Sequence, residues 1–214
     1  VNNDIKIASL EAKHTDGVNA LSTVSQLVPP FENAINSRQF LFDPFSKLIT
    51  RTVNSLVACG ANEKFIADIR TRARKLRGWR TKPKDPEKKI SASQMSFDMR
   101  IQHFDEYIEL LASEPKYAPN ETDLKIVSLR ALLTSMRDAN SLIIELYPTL
   151  DNARKARNQI LYNKINGLVK LATLVKQYVR SLFGPDSDQY NQIKGIDFTP
   201  PGGMVNIPPG VYTE

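Results

Sequence analysis

Only one cysteine, one tryptophan and two histidines occur among the 214 residues. A lone cysteine, Cys59, forms no intrachain disulfide and excludes a zinc site built from paired thiolates. It points to a reducing, cytoplasmic setting; the sequence begins at Val1 rather than methionine, so removal of an export leader stays open. A di-iron bundle takes two Glu-x-x-His motifs and two further glutamates, and the two histidines complete only one such motif. Glu11 to His14 supplies one motif, but Arg100 stands three residues before His103. No apolar run approaches the ~18–20 residues that span a bilayer. Phosphate-binding glycine loops and the G-x-S-x-G elbow are missing, and "GPDSDQ" lacks calcium-loop spacing. The sequence therefore assigns no catalytic residue, no metal and no cofactor. An enzyme whose site is assembled from distant residues remains an unsupported alternative.

Alternating, strand-like runs are nearly absent, whereas apolar residues recur at steps of three and four almost throughout. The pattern predicts an all-α, antiparallel bundle of six to eight helices, forming one domain over residues 1–198. Pro29 and Pro30 are expected to end a first helix or begin the next, and Pro148 to close another. Asp43, Asn62 and Asn120 are expected N-caps, and Gly60, Gly78 and Gly184 helix stops. Phe97, Ile101, Phe104, Ile108 and Leu111 repeat every seven residues as one seam. Leu168, Leu171, Val175, Tyr178 and Leu182 make another. Asn140 interrupts a core stripe running from Leu129 to Tyr147, which reads as a buried amide fixing helix register rather than a ligand contact. His14 reads as partly buried, His103 as exposed, and Cys59 as a small core residue. Residues 199–214 hold four prolines and three glycines, the composition of a flexible tail.

Four stretches carry a resemblance when taken in order: "FENAINSRQFLFDPFSKLITRTVNSLVACG", "SFDMRIQHFDEYIELLASEPKYAPNETDLK", "ARKARNQILYNKINGLV" and "VKQYVRSLFGPDSDQYNQIKGIDF". Between Phe31 and Phe198 the chain resembles a family of uncharacterised bacterial all-helical proteins. The patterns YxPNExxLK and YVRSLFGxxSxQYxQIxGIxF are the most specific parts. The resemblance implies a helical fold and implies no activity, cofactor or ligand.

Charge is the uneven quantity. The formal net charge is +6, yet Arg70–Lys89 alone holds ten basic and two acidic residues, and the remainder is net −2. On a helical wheel Phe65, Ile66, Ile69, Ala73 and Leu76 share a face, with Arg70, Arg72, Arg74, Lys75 and Arg77 on its rim and back. A helix dipole favours cations near its C-terminus, which accounts for that half. It does not account for Trp79, Arg80, Lys82 and Lys84, in a basic loop spanning residues 78–93. An aromatic inside a basic arm suits an acidic protein partner, a nucleic-acid strand or an anionic membrane surface, while a plain solvated loop needs none of these. The leading expectation is a non-enzymatic interaction or scaffolding module, self-associating through an apolar seam. The second is nucleic-acid binding through 70–89.

Overall fold

Apolar residues at helical spacing build seven α-helices in the computed structural model, which describes residues 3–78 and 96–198. They are α1 (Ile7–Phe42), α2 (Phe45–Ala58), α3 (Glu63–Leu76), α4 (Phe97–Ala112), α5 (Ile126–Tyr162), α6 (Leu168–Phe183) and α7 (Asp188–Lys194). Single 3-10 turns occupy Asn3–Ile5 and Thr122–Leu124, and no strand occurs among the described residues. The all-α class and the helix number match the sequence pattern.

The chain falls into two compact units, one of residues up to Phe31 with those from Leu146 on, the other Glu32–Glu145. Helices α1 and α5 contribute residues to both, and the helix ends expected at their prolines do not occur. Pro29 and Pro30 lie inside α1, and Pro148 lies inside α5. An interior proline removes one N–H and crowds the carbonyl four residues back, at ~3 kcal/mol. Both helices nonetheless run through their prolines, so a local breaker rule misplaces the ends of 36- and 37-residue helices.

Helix ends elsewhere follow local chemistry. Asn62 caps α3, accepting from the Lys64 backbone N–H at 2.9 Å. Gly60, Gly78 and Gly184 adopt φ of 74°, 72° and 91°, the left-handed region that a side chain disfavours. Two expected caps are corrected. Asp43 precedes the true cap residue, Pro44, and accepts from the Gln39 amide instead. Asn120 precedes the 3-10 turn, and Asp123 there pairs with Arg51 of α2 rather than capping a helix. At the start of α6 a Cβ on Gly167 would lie 2.4 Å from the Asn163 backbone nitrogen, so only glycine fits that tight turn.

The core of Glu32–Glu145 is dense. From α2 it takes Phe45, Ile49 and Leu56; from α3 Ile69, Ala73 and Leu76; from α5 Leu129, Leu133 and Met136. The α4 seam is buried as predicted, with Phe97 partly covered. Phe104 meets Phe45 edge-to-face at 4.8 Å, and Phe42 meets Phe97 likewise. Counting 100° per residue from Phe97, buried Tyr107 sits at about 280° and His103 at about 240°. Thus α4 buries a second flank besides its seam. That corrects the expectation for His103, whose side chain is 11% exposed, with Nδ1 3.8 Å from Glu106.

A polar contact crosses this core. The Tyr107 hydroxyl lies 2.7 Å from Thr52 Oγ1, which itself donates to the Ile49 carbonyl. Burial pushes the Tyr107 phenol up to about 12, the Thr52 hydrogen bond and then the nearby Arg77 charge offsetting only part. Burial raises Tyr117 in the same direction, its hydroxyl donating to the Leu124 carbonyl at 2.8 Å. A phenol whose folded pKa is raised stabilises the fold fully below its unfolded value near 10. Stability should therefore fall as pH rises from about 10 through about 12. Tyr107→Phe keeps the ring and removes one titrating group, so its urea midpoint should decline less steeply over that interval. Equal slopes for wild type and variant would refute this assignment.

Candidate functional site

Two surfaces stand out, one on each unit. The first is the basic face of α3. Its apolar side is buried as the wheel predicts, and Arg70, Arg74 and Lys75 are exposed while Arg72 and Arg77 are half-buried. The structure separates these five residues. Arg72 turns towards α4 and donates to Glu106 at 2.8 Å. Lys75 borders a shallow depression with Asp68, Arg72 and Leu110. Arg70, Arg74 and Arg77 instead share one wall of an open groove of about 470 Å³ between α2 and α3. Trp79, Arg80, Lys82 and Lys84 lie outside the described residues, as do the rest of the expected basic loop beyond Gly78 and the tail 199–214.

The opposite wall of that groove comes from α2. Thr50 and Asn54, one helical turn apart, carry its polar atoms, and Val53, Ala67 and Ala73 line its apolar part. Arg77 Nη2 donates to Thr50 Oγ1 at 2.9 Å and Arg74 Nη2 to Thr71 Oγ1 at 3.0 Å. None of the nine lining residues is acidic. Wheel positions place these arginines off the apolar face, but the pairing of Thr50 with Arg77 across 27 residues had no sequence signal.

The second surface belongs to the unit of residues up to Phe31 and from Leu146 on. Among its described residues only Val24, Leu150 and Leu171 are buried hydrophobic side chains. The other unit holds 21 among its described residues. Gly17 is also buried, because α1 passes so close to Leu161 and Leu168 that a Cβ would touch both. His14 is exposed, a correction: this stretch of α1 buries little beyond Gly17 and Val24. On α6 the predicted seam exists, yet Leu171 alone is fully buried. Tyr178 and Phe183 are exposed and Leu182 is 59% exposed. A neighbouring apolar groove of about 280 Å³ is lined by Leu10, Leu168, Ala172, Val175, Ile193 and Ile196, with Lys176 and Phe198 at its edge. The Lys176 ammonium donates to the Lys194 and Ile196 carbonyls, tying α6 to the residues after α7.

Chemistry for catalysis is thin. No group of three metal-ligating side chains comes together among the described residues. Cys59 is half-buried at the end of α2, so it is less enclosed than the sequence pattern implies. The perturbed pKa values belong to Tyr107, Tyr117, Arg38, Arg100 and the Arg51–Asp123 pair, each explained by burial or an ion pair. No described helix is long and apolar enough to cross a membrane. No protein-family model, curated protein or solved structure matches this chain.

Proposed function

We propose that this protein is a non-enzymatic helical interaction module that associates with a second copy of itself through α6. One observation carries the reading: a helix with a five-residue apolar seam in 3-4-3-4 spacing buries only Leu171 of it. That spacing is what a facing helix needs for knobs-into-holes packing. A copy of the same seam, related by a two-fold axis, presents matching apolar residues to each other and closes the assembly at two chains. Each large side chain covered this way contributes roughly 1.5–3 kcal/mol, so a few of them suffice for a dimer. Tyr178 adds a ring with a polar tip, a combination favoured at interfaces.

Sedimentation velocity over a wide concentration range tests it. The wild type should pass from monomer to dimer, and Leu182→Glu with Phe183→Glu should stay monomeric with unchanged helical circular dichroism. Both side chains are exposed, so the substitutions leave the core alone. A wild type that remains monomeric at every concentration rejects self-association.

A further inference from the structure

The apolar groove of about 280 Å³ beside α6 is open. Leu168, Ala172 and Val175 of α6 line it with Leu10 and Ile193, all only half-buried, and Ile196 on its rim is 48% exposed. Apart from Lys176, every described side chain along it is apolar. The Lys176 ammonium is turned to the Lys194 and Ile196 carbonyls and lies 5.3 Å from the centre of the Phe198 ring. These contacts hold the stretch after α7 along the rim, so the chain passes residue 198 at the groove's edge.

The sequence that follows is TPPGGMVNIPPGVYTE, residues 199–214. Proline and glycine give it the composition of a flexible tail, but segments that stay in solvent also combine few apolar side chains with many charges. Here Glu214 is the only charged residue of sixteen, in a chain that is 24% charged as a whole. Met204, Val205, Ile207, Val211 and Tyr212 are large and apolar. Such a segment loses free energy in water and gains it on an apolar surface. Its prolines restrict the free chain, so less conformational freedom is lost on docking. Gly202 and Gly203 supply the backbone freedom for a reversal of direction. Reach is sufficient. The six residues from Phe198 to Met204 extend to roughly 20 Å, whereas Leu168 and Val175 are separated by roughly 10 Å of helix rise.

We propose that the chain's own C-terminal segment docks in this groove, with Met204, Val205 and Ile207 as the inserted side chains. The groove's volume suits a few side chains rather than the face of a helix. A short tether keeps the segment at a millimolar effective concentration beside the groove, well above that of a second copy in dilute solution. Tyr178, Leu182 and Phe183 do not line the groove, so docking does not depend on self-association through α6.

The test uses the full chain carrying Leu182→Glu and Phe183→Glu, which removes the α6 contact between copies. Met204→Asp with Ile207→Asp is added to free the groove; both positions follow Phe198, so the helical circular dichroism should not change. A fluorescently labelled peptide of residues 199–214 is then titrated in and its anisotropy followed. It should bind this variant saturably with Kd below about 1 mM, the condition for a millimolar tethered copy to fill the groove. It should bind the chain with the intact tail at least about fivefold more weakly, because the tethered copy competes. Ile196→Glu, at an exposed position on the rim, should weaken peptide binding to the freed groove at least about fivefold, since it sets a charge against apolar side chains. No saturation, equal affinity for intact and charged tails, or binding indifferent to Ile196→Glu overturns docking in the groove. Competition that appears only as the protein concentration rises gives the groove to another copy and overturns docking within one chain.

Discussion

Phe104→Ala is expected to destabilise the Glu32–Glu145 unit by about 3–5 kcal/mol, the range for emptying a large aromatic site in a packed core. Phe104 has no exposed surface, and Phe45 packs its ring edge against it at 4.8 Å and 90°. Three terms act together: lost transfer of the ring from water, the cavity left behind, and the edge-to-face contact. Collapse around the void is restricted because Ile101, Ile108 and Leu111 on the same helix are already committed to the core. Urea unfolding followed by circular dichroism reads the loss directly. A matched substitution in the other unit, Leu182→Ala, measured at concentrations where the chain is monomeric, should cost no more than about 0.5 kcal/mol, because that side chain is mostly exposed in the single chain. If both variants lose the same amount, the contrast between the dense core and the uncovered α6 seam is wrong.

That contrast also marks what the sequence could and could not convey. The α4 seam is legible because a helix with one dominant stripe repeats it every seven residues, and all of its members reach the core or its edge. The α6 seam is equally legible as a pattern, but periodicity specifies a face and not what covers it. Burial of His103 escaped the wheel because α4 has two packed flanks, and a wheel centred on one stripe assigns everything else to solvent. Prolines misled for a related reason. Pro29, Pro30 and Pro148 each remove a local hydrogen bond, yet α1 and α5 continue through them, so a rule about single residues does not locate the helix ends. The α3 wheel placed the arginines on the rim and back correctly. What each one meets depends on other helices: Arg72 donates to the Glu106 carboxylate of α4, 34 residues on, and Arg77 to the Thr50 hydroxyl of α2, 27 residues back.

Asn140 is where a polar residue on a core stripe proved most informative, and its replacement should have the second large effect. The side chain is 6% exposed and joins two charged groups: Arg38 Nη1 donates to its Oδ1 at 2.9 Å, and its Nδ2 donates to Asp98 Oδ1 at 2.6 Å. Helices α1, α4 and α5 are thereby tied at one point, which fits the register-fixing role expected from the sequence. The Arg38 guanidinium is stacked on Phe97 at 3.8 Å, and burial lowers its pKa with Asp98 only partly compensating. Asn140→Leu removes both bonds and leaves that half-buried cation without its acceptor. Hydrogen bonds to charged groups contribute ~1.5–3 kcal/mol each, so a loss of roughly 3 kcal/mol or more is expected. Arg38→Met in the same chain should restore a large part of it, because Met fills the space over Phe97 and no stranded charge remains. The single Arg38→Met completes a double-mutant cycle, with urea midpoints as the readout. Additive losses in the double variant would mean that Arg38 and Asn140 act independently, and the amide would then be a tolerated polar residue and not the joint between three helices.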